Sequence, residues 1–251
     1  MLDLGIKRRL PPLGLAGVRA KKLVRIARRR AYRRALWRGV AAATEHEDAD
    51  LGADFRTVLD VGASRGQFAL FAQQEWPDAT IVCFEPLADP AAKLRRLLQG
   101  RVSIHQVALG SAPSILEMNV SGRDDSSSLL PLGRQIDEYP ATAVTTSSVV
   151  SVDILDNYFE PATPTPVLLK IDVQGYELEV LKGAKSSLDL VGEILCECSF
   201  VELYSGQPLA SDIVVFLKSA GFELAGVSGI SRSRSGGQLQ ADLLFRRQSS
   251  S

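Results

Sequence analysis

The residues best suited to chemistry follow the first short apolar run of the central chain, in the string VLDVGASRGQF. Gly62 and Gly66 lie there with three residues between them, Ser64 is one of the three, and Asp60 lies two residues before Gly62. Glycines at a strand end let the backbone approach a ligand, and a following helix offers amide donors. A dinucleotide fold would show Gly-x-Gly-x-x-Gly, and an acid just before the turn disfavours a phosphate. The turn therefore favours a cationic ligand, with an amino group and a sulfonium centre.

A second acid occupies the matching place on the next strand. Glu85 follows Asp60 by 25 residues and comes directly after the apolar run IVCF. A carboxylate at this point accepts hydrogen bonds from both hydroxyls of a ribose, in NAD as well as in other adenosine ligands. Taken separately, the glycines also suit an ordinary turn and Glu85 a surface cap. Together, at the ends of successive strands, these residues indicate S-adenosylmethionine.

Asp172 and Glu197 are the candidate catalytic residues. Ligands bind beyond the carboxyl ends of the central strands in an open α/β sheet, and Asp172 directly follows the run VLLKI. Methyl transfer is an in-line displacement, which needs the acceptor oxygen near the sulfonium and, for a hydroxyl, a group that takes its proton. The two histidines are predicted elsewhere, His46 in a peripheral helix and His105 inside the third strand. By exclusion the base is a carboxylate, with Asp172 first and Glu197 second.

Two other interpretations of these acids stay open. A carboxylate on a central strand is rarely buried without a partner, and an ion pair with Lys170 or Lys182 would provide one for Glu197. Hard divalent cations take oxygen ligands, so a metal held by Asp172, Glu197 and Asp153 would also fit. The sequence alone does not establish such a site, and we assign no metal ligand.

An α/β fold is needed to bring these residues together. From Thr57 onward short apolar runs alternate with helical stretches, which predicts parallel strands with crossover helices on both faces of a sheet. At about residues 111–166 the alternation is interrupted, which predicts an inserted substrate or lid region with antiparallel strands. The predicted strands are 58–61, 80–84, 102–107, 114–120, 144–152, 167–171, 193–200, 222–227 and 240–245, the last two forming a hairpin around 228–237. The predicted helices are 65–76, 90–99, 176–190 and 209–220.

Charge is divided unevenly along the chain. Residues 1–40 hold 13 Lys and Arg against Asp3 alone, and the remaining residues hold 16 basic and 28 acidic side chains. We therefore predict a basic helical arm over residues 1–50 and an acidic body over 51–251. The arm contains a predicted helix over 16–40 with an apolar stripe of Val24, Ala27, Ala31 and Ala35. The arm would lie on anionic lipid or grip a polyanion; alternatively, it is solvated or is neutralised by the acidic body.

Other features predict a cytoplasmic protein. The longest charge-free runs carry Pro, Ser, Thr or Gly and fall short of the roughly 18 to 20 apolar residues of a membrane span. Pro11, Pro12 and Arg19 interrupt the apolar stretch that a secretory signal needs. Cys83, Cys196 and Cys198 lack the spacing typical of a zinc site or a disulfide scaffold, so we expect reduced thiols.

Five strings of the chain resemble the FkbM-type methyltransferases, a branch of the class I S-adenosylmethionine-dependent enzymes, over about residues 57–245. They are VLDVGASRGQFAL, VCFEPL, VALG, LLKIDVQGYELEVLKGA and CSFVELYSGQPL. The fourth is the most specific because it is long and contiguous, whereas Ser64 stands where the family commonly has Asn. The resemblance implies a Rossmann-like sheet, mostly parallel with an antiparallel C-terminal hairpin. With S-adenosylmethionine as the cofactor it implies, we expect cofactor contacts from Asp60, Gly62, Ala63, Ser64, Gly66, Glu85, Pro86, Val107, Ala108 and Asp172.

The resemblance also implies O-methylation of a hydroxyl on a sugar, a glycan or glycolipid, or a glycosylated natural product. The inserted region would suit a carbohydrate through Ser126, Ser127, Ser128 and Tyr139, and a basic arm on the inner face of the membrane would suit a membrane-linked acceptor. RNA methylation is the alternative, but the acidic body repels a polyanion, and DVQG is not the Asn/Asp-Pro-Pro-aromatic string of base methylases. An inactive cofactor-binding scaffold is the third hypothesis.

Overall fold

The computed structural model describes residues 24–98, 100, 102–122, 126–160 and 162–248, which fold around a seven-stranded sheet. The strands are β1 (Thr57–Val61), β2 (Thr80–Phe84), β3 (Val102–His105), β4 (Ala108–Leu109), β5 (Ser114–Ser121), β6 (Val144–Asp153), β7 (Val167–Ile171), β8 (Val191–Ser199), β9 (Phe222–Arg232) and β10 (Gln238–Arg247). The helices are α1 (Arg30–Trp37), α2 (Gln67–Glu75), α3 (Ala88–Leu97), α4 (Gln135–Glu138), α5 (Glu177–Lys182) and α6 (Ala210–Ser219). Short 3₁₀ helices cover Thr44–Asp48, Pro140–Thr142, Leu155–Tyr158 and Ser187–Leu190.

The main sheet has the order β3-β2-β1-β7-β8-β10-β9. Its first five strands in space pair in parallel, and β10 pairs antiparallel with both β8 and β9. The predicted mostly parallel sheet with an antiparallel C-terminal hairpin is confirmed. From β1 the chain adds strands first on one side and later, from β7, on the other. The carboxyl ends of β1 and β7 therefore border the crevice where open α/β sheets bind ligands.

Both faces of the main sheet are covered, which explains why its central strands are apolar throughout. Leu168 and Leu195 belong to an apolar cluster with α2 and α3, whereas their neighbours Leu169 and Ile194 belong to a cluster with α5 and α6. The predicted helices on both faces are confirmed. Within the described residues, no helix is long and apolar enough to cross a membrane.

The insertion forms a second, three-stranded sheet with the order β4-β6-β5. The antiparallel strands predicted at 114–120 and 144–152 are confirmed as β5 and β6. The strand predicted over 102–107 ends earlier, at His105, because the chain leaves the main sheet there and β4 pairs with the end of β6. The insertion therefore starts at about residue 108, earlier in the chain than the predicted residue 111.

Two predicted elements differ in length from the structure. The helix predicted over 176–190 ends at Lys182, where the chain runs so close to β4 that a Cβ on Gly183 would lie 2.0 Å from the Gly110 carbonyl oxygen. The hairpin strands are longer than predicted: β9 takes up half of the expected connector, and the turn is confined to about 233–237. Backbone pairing between β9 and β10 continues beyond the predicted strand ends, although the residues in these extensions carry no apolar pattern.

The described part of the N-terminal segment packs onto the sheet instead of standing free. Tyr32 and Ala35 of α1 are fully buried in the cluster that contains α2. Residues 24–28 are also helical, and extended Arg29 separates them from α1. Because of this interruption the predicted stripe is wrong at Val24 and Ala27, which are exposed, and Ile26 is buried in their place. The predicted helix over 16–40 ends at Trp37, and its first residues, like the rest of 1–23, lie outside the described part.

Candidate active site

A cleft of about 370 Å³ opens at the carboxyl ends of β1, β2 and β7. One wall comes from the N-terminal segment, with Glu45 and His46, and the opposite wall from the insertion, with Met118, Ser127 and Leu129. The sheet side contains the predicted residues Gly62, Ala63, Ser64, Glu85, Pro86, Val107, Ala108 and Asp172. The structure thus gathers most of the predicted cofactor residues in one cleft.

The glycine turn after β1 uses its amides internally. The amides of Gly62 and Ala63 donate to the Phe84 carbonyl at 3.1 and 3.0 Å, and the amide of Ser64 donates to Glu85 Oε2 at 2.9 Å. Those of the next two residues donate to Gln67 Oε1 at 3.1 Å and to the Ala63 carbonyl at 2.8 Å. A phosphate needs such amides as donors. The turn is therefore not built for a pyrophosphate, which agrees with the expectation from the sequence.

Glu85 and Ser64 offer polar atoms to the cleft. The two Glu85 oxygens accept from the amides of Leu87 and Ser64, at 2.8 and 2.9 Å, which fixes the carboxyl group in place. Burial raises the pKa of Glu85 to about 7. Ser64, held at a left-handed φ of 47°, has a buried hydroxyl without a hydrogen-bond partner among the described residues. Both groups are suited to receive a polar ligand.

Asp60 and Gly66 do not line the cleft but support the turn from behind. Asp60 is 0% exposed, and its Oδ1 lies 3.4 Å from Lys170 Nζ. A Cβ on Gly66 would lie 2.4 Å from Leu94 Cδ1, so this glycine allows α3 to pack against the turn. Their predicted role as cofactor contacts stays a prediction.

Lys170 is a buried ammonium group between two acids. Its Nζ lies 3.4 Å from both Asp60 Oδ1 and Asp172 Oδ2. Burial lowers the pKa of Lys170, but the charges of Asp172 and Asp60 outweigh burial and raise it overall. Burial raises the pKa of Asp60 despite the ammonium. For Asp172 the balance is reversed: burial raises the pKa, but Lys170 and a hydrogen bond from Gln174 lower it overall. Asp172, 34% exposed toward the cleft, is thus an ionised carboxylate at neutral pH.

Gln174 connects the two predicted catalytic acids. Its Nε2 donates to Asp172 Oδ1 and to Glu197 Oε2, both at 2.8 Å, and its Oε1 accepts from the Tyr204 hydroxyl at 2.7 Å. Its carbonyl accepts from the Ser128 hydroxyl at 2.6 Å. These bonds hold Gln174 at a left-handed φ of 58°. Gln174 was not predicted as a site residue from the sequence, although it is a polar residue in the string after β7.

Glu197 does not form the ion pair considered for it. Lys182 Nζ bonds Glu179 at 2.6 Å, and Lys170 bonds Asp60 and Asp172. Glu197 instead accepts hydrogen bonds from Gln174 and Gln240. Burial, followed by the charge of Asp172, raises its pKa well above the usual range. Glu197 does not line the cleft; Gln174 bridges it to Asp172, and a hydrogen bond between the two carboxyl groups helps to lower the pKa of Asp172.

The prediction of His46 in a peripheral position is wrong. The N-terminal segment folds back over the sheet, so that His46 lines the cleft, packs edge-on against Phe68 and places Nδ1 3.7 Å from Asp242 Oδ2. Burial, followed by the charge of Asp172, raises the pKa of Asp242 to about 7. His105 lies in β3, as predicted, and is half-buried outside the cleft, where its ring stacks on that of Phe84 with the ring centres 5.3 Å apart.

The three acids considered as metal ligands are not brought together, and only part of the residue set proposed for a carbohydrate lines the cleft. Asp153 accepts from the amide of Ile154, from Asn157 and from Tyr158, away from Asp172 and Glu197. Among the residues described, no three His, Cys, Asp or Glu side chains come together as a metal site. Of the polar residues proposed for a carbohydrate, Ser127 lines the cleft, whereas Tyr139 packs in a separate apolar cluster with Leu203.

Replacing Lys170 tests the buried charge balance. Lys170→Met should lower the free energy of unfolding by about 3 to 5 kcal/mol near neutral pH, because Asp60 stays buried without its cation. Since the pKa of Asp60 is higher in the folded than in the unfolded state, the folded variant binds more protons as the pH falls, and stability should partly return at acidic pH.

Urea unfolding at neutral and acidic pH measures this effect. Lys182→Met is the control, because that lysine pairs with Glu179 near the surface and its loss should cost less than about 1 kcal/mol. If Lys170→Met lost the same free energy of unfolding at neutral and at acidic pH, Asp60 would carry no buried charge.

The comparisons with known proteins agree with the geometry. Residues 60–224 match the family described as Methyltransferase FkbM domain. The chain is 29% identical over 177 residues to 2-O-methyltransferase NoeI of Sinorhizobium fredii, over 66% of this chain and 72% of NoeI. It is 28% identical over 199 residues to Methyltransferase sdnD of Sordaria araneosa, over 66% of this chain and 73% of that protein.

Among solved structures, magnesium protoporphyrin IX methyltransferase from Synechocystis with bound SAM superposes with a TM-score of 0.44 and 14% identity, over 91% of this chain and 83% of that one. This likeness is too distant to carry an argument, whereas the family match spans most of the chain. The chain belongs to the FkbM methyltransferase domain family.

Proposed function

We propose that the protein transfers a methyl group from S-adenosylmethionine to a hydroxyl of a sugar, a glycan or glycolipid, or a glycosylated natural product. The observation that carries the proposal is the presence, in one cleft, of the glycine turn, Glu85 and the ionised carboxylate of Asp172. Together they fit a cationic nucleoside and an acceptor that must lose a proton. The relative NoeI is named as a 2-O-methyltransferase, which supports oxygen as the acceptor atom.

The turn and its neighbours fit the cofactor. Glu85 would accept the ribose hydroxyls, and the unpartnered hydroxyl of Ser64 would bond a polar group of the methionine part. When bound, S-adenosylmethionine supplies an electrophilic methyl group on a sulfonium. Asp60 and Asp172 place two carboxyl groups around the single ammonium group of Lys170. This excess of acidic groups favours a cation beside the turn.

Asp172 would accept the hydrogen bond of the acceptor hydroxyl and take its proton. Lys170 and Gln174 hold its two oxygens, so the carboxylate is oriented before the acceptor arrives. His46 is the second candidate for this role, because it lines the same cleft and has Asp242 close to its Nδ1. Ser127, on the insertion wall, would contact the acceptor.

We place this reaction in the cytoplasm. Cys83, Cys196 and Cys198 are free and buried, including the two that lie two residues apart on β8. Free thiols are usual where the redox state keeps cysteine reduced.

Methyl transfer from labelled S-adenosylmethionine into a fractionated lysate tests the function. We expect label in glycans, glycolipids or hydroxyl-bearing small metabolites, at an oxygen atom. Label in RNA would support the alternative enzyme, and cofactor binding without label in any fraction would support a scaffold. Either result would contradict the proposal.

A further inference from the structure

The outward face of α1 carries a basic and aromatic surface. This outward face consists of Arg30, Arg33, Arg34 and Trp37, together with Arg38 directly after the helix. We propose that it docks on an anionic lipid surface. The proposal goes beyond the methyl transfer proposed above and does not depend on it.

The opposite side of α1 fixes the helix to the body. Tyr32 and Ala35 are fully buried there, so the orientation of the outward face is set by packing. Trp37 is 92% exposed, and Leu36 beside it is also exposed. A large indole left in water at the end of a basic helix is typical of a residue that inserts at a membrane interface.

Charge complementarity distinguishes the outward face from the arginines next to it. Arg25 pairs with Glu47 at 2.9 Å, and Arg29 pairs with Glu75 at 2.6 Å, so the body neutralises these two. The arginines of the outward face form no ion pair within the described residues. Arg38 donates one hydrogen bond to the Arg96 carbonyl, which is a neutral group, so the charge of Arg38 stays uncompensated. Anionic headgroups would supply the missing partners.

A flat lipid surface fits better than a long polyanion. Beyond residue 40 the chain holds 28 acidic against 16 basic side chains, which would repel a nucleic acid that continued past α1. An anionic bilayer would contact only the outward face. Burial of the Trp37 indole at the boundary between the headgroups and the acyl chains would be favourable. Gly39, two residues beyond the end of α1, lines the cleft, so docking would bring the cleft mouth beside the lipid surface.

Vesicle co-sedimentation of the full chain tests the docking. We expect binding to phosphatidylcholine vesicles that contain phosphatidylserine and little binding to phosphatidylcholine alone. Trp37→Ala should weaken binding about tenfold, since it removes the inserted indole from a position with no packing role. The double variant Arg33→Glu and Arg34→Glu should weaken it at least about twentyfold, at about fivefold for each lost basic side chain.

The matched control is the double variant Arg232→Glu and Arg234→Glu, at two exposed arginines at the end of β9 and in the hairpin turn after it, with the same change in net charge. It should bind vesicles like the unaltered chain. Failure of the unaltered chain to bind anionic vesicles would overturn the proposal, as would equal losses in the two double variants. Tight binding to an RNA oligonucleotide without binding to vesicles would also overturn it.

Discussion

Asp172→Asn is expected to slow methyl transfer at least about 100-fold while leaving S-adenosylmethionine binding within a few-fold of the unaltered protein. Asparagine keeps the shape of the side chain but cannot take a proton from the acceptor hydroxyl. Lys170 retains Asp60 as an ion-pair partner, so the fold should survive. Initial rates with the labelled acceptor, and calorimetry with the cofactor, measure the two effects separately.

The control for this variant is Asp189→Asn, at an exposed acid in the 3₁₀ helix before β8, which should leave the rate unchanged. A rate near that of the unaltered protein for Asp172→Asn would contradict the role of Asp172. In that case His46→Gln should show the large loss instead, because His46 is the other candidate that faces the cleft.

Gly62→Ala is expected to be the most damaging single substitution in the turn. The added Cβ would lie 1.8 Å from the Asp172 carbonyl oxygen, and the residue has a left-handed φ of 80°. Backbone at that distance cannot move aside like the end of a flexible side chain. The ends of β1 and β7 would have to separate, which we expect to cost about 4 kcal/mol or more of unfolding free energy and to abolish cofactor binding.

Gly206→Ala separates the two causes of this loss. Gly206 has nearly the same φ, 78°, but an added Cβ there meets nothing within 4 Å. It should therefore cost only the left-handed backbone penalty of about 1 to 2 kcal/mol in urea unfolding. If Gly62→Ala and Gly206→Ala lost the same free energy of unfolding, the close approach of β1 to β7 would not be the reason for a glycine at position 62.

The sheet could be predicted from the sequence because its central strands are buried on both faces. Such strands appear as continuous apolar runs, and the strand predicted at 80–84 has the observed ends of β2. Runs with weaker apolar character were predicted less well. The N-terminal helix was given the wrong buried residues before Arg29 because its apolar residues are few and a break at Arg29 changes their register.

The candidate site was predictable where its residues directly follow strands of the sheet. Gly62, Glu85 and Asp172 follow β1, β2 and β7, and parallel strands bring such residues to one edge. His46 and Gln174 were missed for a different reason. His46 reaches the cleft because the N-terminal segment folds back over the sheet, and Gln174 is defined by partners in the insertion and on β8. No local pattern contains those tertiary contacts.

Calorimetric titration of S-adenosylmethionine into the full chain is the most direct measurement of whether this cleft is a cofactor site. We expect one site per chain, with affinity about tenfold weaker in Glu85→Gln, which removes one carboxylate oxygen for the ribose. No heat of binding in the unaltered protein, or identical affinity in the variant, would contradict the assignment of the cleft.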